Sequence, residues 1–300
     1  MSREKFVKAL SYIIVAFVLA LTFFPLYFLI VTSIKPFTDQ FTSPPILIPR
    51  NLTLEGYLNA IERWNFPNYL LNSIIITVGS VILSILLGVP MAYSLTRFRF
   101  PRNINDSLAF FILSIRMLPP IVGIIPIYTI YTHLGLIDTF QGLILAYTVF
   151  NLPFTVWIMR GFFLDLPREI EEAALVDGCS ALQTFLRIVI PLSTSGILTT
   201  ASLCTVQSWN EFIFAVFLTS AERKTIPVLI SSFTGENAYF WGEMMAVATM
   251  AILPVFILIL IIQREFVKGL TFGAVKAVSY THLRAHETRH ELVCRLLLEK

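Results

Sequence analysis

The sequence predicts an all-α integral membrane protein with six transmembrane helices, and three observations carry that reading. The chain is 56% hydrophobic and only 14% charged; a soluble domain carries about a quarter charged residues. Mean hydropathy is +0.76, an apolar surplus that needs lipid to cover it. Uncharged apolar runs long enough to cross a bilayer, about 20 residues, recur along the chain. They are Ala9–Ile34, Trp64–Thr96, Ser107–Ile137 (broken only by Arg116), Thr139–Met159, Ile188–Asn210 and Met244–Gln263.

Taken in order, the helices are expected at 11–33, 70–95, 107–131, 140–163, 186–218 and 244–264. Ser2–Lys8 supplies a basic start to the first, but the run is too long and lacks a small-residue cleavage site, so it reads as an uncleaved span. Between spans one and two, Lys35–Asn68 holds Pro36, Pro44, Pro45, Pro49 and Pro67. Irregular chain with short helices is expected there, because proline fixes φ and removes a donor. The stretch Phe212–Ser220 reads as a prolongation of span five or a re-entrant piece. Orientation follows from Lys and Arg in short loops. With the N-terminus inside, inner segments hold Arg3, Lys5, Lys8, Arg97, Arg99, Arg102, Arg160, Arg168, Arg187, Arg264, Lys268 and Lys276. Outer segments hold Lys35, Arg50, Arg63, Arg223 and Lys224. Both termini are therefore expected in the cytoplasm.

Composition excludes several classes. A formal charge of +3 is too small to suggest nucleic acid. Cys179, Cys204 and Cys294 are widely spaced without neighbouring histidines, which argues against a disulfide framework or a zinc site. His133 stands alone in a loop. The sequence has no G-x-x-x-x-G-K-[ST] motif and no nucleophile–base pair, so neither ATP hydrolysis nor other enzymatic activity is expected of this chain, and no cofactor.

The informative segment lies between spans four and five, a cytoplasmic loop over 164–187. Pro167 suits a helix start, and Glu169, Glu171 and Glu172 oppose the helix dipole favourably. Ala173 and Ala174 allow close approach of another surface. Asp177-Gly178 ends the helix, glycine being suited to the left-handed conformation. Ser180-Ala-Leu-Gln183 has the form of a capping box and starts a second helix. An amphipathic helix, a turn and a second helix entering the membrane form a segment built to be covered.

Glu172-Ala-Ala-Leu-Val-Asp-Gly178 followed by Ile188-Val-Ile-Pro191 resembles the EAA---G---------I-LP signature of binding-protein-dependent ABC importer permeases, with Ile190 where leucine is usual. Asn72-Ser73, Arg116-Met-Leu-Pro-Pro120, Leu152-Pro-Phe154, Trp209-Asn-Glu-Phe212 and the run Gln263–Lys276 resemble its maltose-type, carbohydrate-uptake branch. The resemblance implies a type I ABC importer permease fold (MetI-like) over 11–276, in a bacterial or archaeal plasma membrane. The implied partners are a second homologous permease subunit, a cytoplasmic ATP-binding subunit dimer and an extracytoplasmic solute-binding protein. By the same resemblance Glu172, Ala173, Ala174, Asp177, Gly178, Ile188 and Pro191 couple to the ATPase. The cargo would be a sugar or related solute.

A charge within a span costs about 2.5–3.5 kcal/mol on insertion scales, so Arg116 is expected to face protein or water. It reads either as a pathway or gate residue paired to an acid such as Glu211, or as a snorkelling side chain. Trp209, Asn210 and Glu211 read as pathway-lining or as interfacial anchors. Of the prolines expected to kink helices, Pro119, Pro120 and Pro191 invite a gating role. An ion-coupled secondary transporter is the alternative class, but the internal repeats and midplane acids that mark such carriers are not evident. After Lys276 the composition changes, and 277–300 holds three of the four histidines. Val278-Ser-Tyr-Thr-His-Leu283 looks like translated sequencing adapter, which makes this tail non-native; the alternative is a native cytosolic tail.

Overall fold

The computed structural model describes residues 3–101, 104–233 and 240–261, and these form helices joined by turns and loops, with no strand among them. Expectations for the end of the sixth span and for the tail at 277–300 lie outside the described residues. The helices are α1 (Arg3–Ser33), α2 (Phe37–Gln40), α3 (Glu55–Glu62), α4 (Phe66–Arg97), α5 (Asn105–Ile115), α6 (Pro120–Leu134) and α7 (Phe140–Asp165). They continue as α8 (Arg168–Val176), α9 (Ala181–Thr184), a π-helical turn (Phe185–Val189), α10 (Ile190–Leu192), α11 (Thr194–Trp209), α12 (Ile213–Leu218) and α13 (Ile226–Ser232). The last described helix is α14 (Trp241–Ile261).

Four of these segments are long and apolar enough to cross a bilayer: Leu10–Ser33 within α1, α4, α7 and α14. The other two expected spans are interrupted, α5 from α6 at residues 116–119 and α9–α10 from α11 at Ser193. Counting each pair as one span gives the six that the sequence predicts. The interruptions have local causes. Pro119 and Pro120 provide no N–H, and each pushes the residue before it out of the helical region. Around Pro191 the chain widens into the π turn, where the Ile190 N–H reaches back to the Phe185 carbonyl, and then bends by 72° at Ser193. By contrast α1, α4 and α7 pass through Pro25, Pro90 and Pro153 without breaking. The single helix expected over 186–218 is therefore corrected to shorter pieces. Its last part, α12, begins anew because the Glu211 carboxylate accepts from the Phe214 and Ala215 N–H groups at 3.1 and 3.3 Å. A side chain that satisfies free helix-start donors competes with continuation of the preceding helix.

The chain divides into two compact units. The first comprises Met1–Val78, Pro120–Tyr147 and Trp209–Ile257. Its core gathers Phe66, Trp209, Ile226, Leu229, Phe233 and Val247, with the Trp64 ring edge-on to Phe233 at 4.7 Å. The loop before α13 is held by side chains. Asn72 Nδ2 donates to the Glu222 and Lys224 carbonyls at 2.8 and 3.0 Å, and Ser73 Oγ accepts from the Ile226 N–H at 2.9 Å. As expected, short helices, α2 and α3, punctuate the proline-rich segment.

Asp138, at φ +56° in the turn before α7, closes the same loop from another side. Its carboxylate accepts from the N–H groups of Ser220, Ala221, Glu222 and Arg223 and from Ser220 Oγ. Burial raises its pKa, but the hydrogen bonds from Glu222, Ser220 and Ala221 outweigh that and hold the carboxyl below its ordinary value. A depressed folded-state pKa contributes stability that is complete above the unfolded carboxylate value of about 3.9 and is lost as pH falls through the folded value. Limited proteolysis of the purified protein between pH 6 and 3 should show cleavage at 219–225 accelerating only at the acid end. Asp138→Asn should be cleaved rapidly across the whole range. A wild-type-like profile for that variant would remove the latch role.

The second unit comprises, of the described residues, those within Gly79–Pro119 and Thr148–Ser208 together with 258–261. Val89, Ala92 and Leu95 of α4 pack with Ala109 of α5, Val156, Met159 and Phe163 of α7, and Phe185 and Val189 of the π turn. Gly88 permits the close approach of α4 and α7, since a Cβ there would lie 2.5 Å from Thr155 Cγ2. Small polar groups link the helices: Asn151 Nδ2 donates to Ser208 Oγ at 2.7 Å, and Ser208 Oγ lies 3.2 Å from Ser80 Oγ. Small residues and hydrogen-bonding hydroxyls are what helix contacts within lipid favour, since apolar burial supplies little drive there.

Candidate functional site: the α8–α9 loop and the chain breaks

The α8–α9 segment is specified by its own sequence. Pro167 occupies the cap position at φ −58°, ψ 131°, and Glu169 and Glu171 fall in the first turn. At the other end the Cys179 N–H bonds the Ala174 carbonyl at 3.0 Å and the Gly178 N–H bonds the Leu175 carbonyl at 3.1 Å. With Gly178 at φ +89°, this is a Schellman ending, in which a left-handed residue lets two free carbonyls be satisfied. Ser180 then starts α9 with the predicted capping box: its N–H donates to Gln183 Oε1 at 2.8 Å, and Gln183 N–H donates to Ser180 Oγ at 3.3 Å.

The two neighbouring glutamates and the two neighbouring alanines each divide. Glu171 and Ala174 are buried against the unit, whereas Glu172, Ala173 and Asp177 are exposed. Val176 is 87% exposed and Leu182 66%, so large apolar groups accompany the exposed acids on the outward side. Ala174 thus packs inward, a correction to the expectation that both alanines meet an outside surface. Of the other expected residues, Ile188 is half-buried in the π turn and Pro191 is exposed in α10.

Glu171 is held on both oxygens. Arg97 Nε lies 2.6 Å from one and Tyr93 Oη 2.7 Å from the other. Arg97 Nη2 also donates to the Leu166 carbonyl at 2.9 Å, and Arg168 Nη2 donates to the Thr96 carbonyl at 3.2 Å. In the sequence Arg97 stands out only as one of the inner positive charges, and Tyr93 carries no signal. The 74-residue separation of Arg97 and Glu171 leaves no periodic signal.

The residues at the chain breaks find other partners. Arg116 closes the C-terminal end of α5, where a cation suits the helix dipole. Its guanidinium donates to Gln207 Oε1 and to the Phe150 carbonyl and lies over the Phe150 and Phe154 rings at 4.7 and 4.6 Å. Gln207 therefore takes the place expected for an acid. Pro119 is exposed and Pro120 opens α6. Trp209 is a core residue whose Nε1 donates to the Ala251 carbonyl at 3.2 Å. Asn210 is exposed, and Glu211 caps α12.

The family model for the inner membrane component of binding-protein-dependent transport systems matches residues 80–271, which include the whole α8–α9 loop. The chain belongs to that family. The permease protein YcjP of Escherichia coli (strain K12), an inner membrane ABC transporter permease, is 35% identical over 264 residues, covering 87% of this chain and 94% of that protein. The diacetylchitobiose uptake system permease protein DasC of Streptomyces coelicolor is 34% identical over 254 residues, covering 84% and 91%. A crystal structure of a bacterial ABC transporter involved in import of the acidic polysaccharide alginate has a chain that superposes with a TM-score of 0.73 at 24% identity. The match covers 89% of this chain and 99% of that one, and shows the shared importer-permease fold. Within the matched region, Glu172, Ala173 and 175–178 are exposed on their own unit, whereas Ala174 is buried.

Proposed function

We propose that this permease forms half of the translocation pathway of an ATP-driven importer for a sugar or oligosaccharide, and that α8–α9 is the element a separate ATPase grips. The cargo class follows the uptake systems in which the relatives work. In this reading the chain sits in the plasma membrane with both termini and α8–α9 in the cytoplasm. It works with a second permease subunit, a pair of ATP-binding subunits and an extracytoplasmic solute-binding protein. The chain conducts and couples, and ATP hydrolysis belongs to its partner. Arg116 and the break at Pro119–Pro120 belong to the pathway or its gate.

The observation that carries the docking role is the division of the Glu171–Ala174 run. A helix anchored on one side by Glu171 and Ala174 turns Glu172, Ala173 and Val176 outward. Exposed apolar groups beside acids suit a groove lined by apolar and basic side chains. Co-expression with the cognate ATPase and purification through a tag on the permease tests it. The double variant Glu172→Lys/Val176→Asp should reach the membrane in normal amount and lose the ATPase from the purified complex. Unchanged co-purification would overturn the docking assignment.

A further inference from the structure

We propose that Glu171, Arg97 and Tyr93 form a tether that makes α8, the end of α4 and the π turn move as one body when α8 is displaced; this rests on the docking reading above. Glu171 is 8% exposed, and a buried carboxylate must recover its lost hydration from partners. It does so with both oxygens, on Arg97 and Tyr93. Arg97 and Arg168 add hydrogen bonds to the backbone at Leu166 and Thr96, so the start of α8 and the end of α4 are pinned in both directions. The Tyr93 ring extends the connection. It lies 4.7 Å from the ring of Phe185, the first residue of the π turn, and 5.6 Å from that of Phe163 on α7.

An apolar contact of the same size would hold α8 against α4 but would let it slide, because apolar burial is non-directional. A carboxylate fixed at two oxygens has a defined position. A buried ion pair is a poor source of net stability compared with well-packed apolar residues, so position is what this cluster supplies. Force arriving on the outward face of α8 passes through Glu171 into α4 and through Tyr93 into the turn that precedes Pro191. In this reading Glu171, Arg97 and Tyr93 are positioning residues.

The test uses the complete transporter in proteoliposomes and reads ATP hydrolysed per solute imported. Glu171→Gln should keep the ATPase bound and raise that ratio by about fivefold or more, the lower end of ordinary coupling energies. Arg97→Met/Glu171→Met leaves no lone buried charge, so its thermal stability should return to that of the wild type while the ratio stays poor. A role in stability alone would restore both. A wild-type ratio for Glu171→Gln, or recovery of the ratio in the double methionine variant, overturns the tether. Release of the ATPase by Glu171→Gln overturns it as well, since Glu171 would then belong to the docking face. The docking reading itself stands or falls with the Glu172→Lys/Val176→Asp variant, independently of these outcomes.

Discussion

Solute uptake by a Gly178→Val variant is expected to fall by about tenfold or more, with the subunit still present in the membrane in normal amount. The reason is conformational. Gly178 has φ +89° and no heavy atom lies within 4 Å of where a Cβ would stand, so an added side chain meets no clash. It meets backbone strain of about 1–2 kcal/mol for an ordinary residue, and more for a β-branched one. If the turn yields, the Schellman bonds from Gly178 and Cys179 are lost, and Glu172, Ala173 and Val176 no longer share one fixed surface with α9. A graded series sharpens the test: Asn visits positive φ most readily and should retain the most uptake, Asp less and Val least. Uptake into right-side-out vesicles, normalised to the amount of permease, gives the measurement. Wild-type uptake by the valine variant would remove Gly178 from the coupling element.

Replacement of Arg116 by lysine is expected to reduce uptake by about tenfold, a larger loss than the conserved charge suggests. The guanidinium is planar and works on several sides at once, donating to Gln207 and the Phe150 carbonyl while its faces meet Phe150 and Phe154. An ammonium is a compact, strongly hydrated point charge that cannot reproduce the stacked fork. A cation that merely reaches toward the membrane interface would be replaced by lysine without loss. The lysine variant therefore separates the two readings of Arg116, and wild-type uptake by it would establish the snorkelling role. ATPase co-purification should be unaffected, because Arg116 and its partners are distinct from the exposed face of α8.

Signals are legible in the sequence where both partners lie within a few residues of each other. The spans at α1, α4, α7 and α14 are visible as apolar runs, and the Ser180–Gln183 box and the glycine ending of α8 involve residues no more than five apart. Apolarity averaged over a span could not locate the interruptions: the polar residues at Ser193-Thr194-Ser195 and at Asn210-Glu211 are few enough to leave the surrounding stretch apolar. Proline was an ambiguous sign: α7 runs through Pro153, whereas the Pro119–Pro120 pair coincides with a break. Side-chain direction was the least accessible quantity. Neighbours on a helix differ by about 100°, so the identities of Glu171 and Glu172 do not say which faces inward. Only the presence of Arg97 and Tyr93 across the unit decides it.

The hydrogen-bond closure of the α8–α9 turn has a thermodynamic consequence. The Schellman bonds and the capping box both lie within the short stretch of chain that opens at Pro167, so local contacts set its shape without a partner. Association then costs little backbone entropy at this surface, and more of the gross contact energy survives as affinity than a floppy loop would retain. If α8–α9 is the docking element proposed above, the ATPase meets a handle that is already shaped and need not fold on contact.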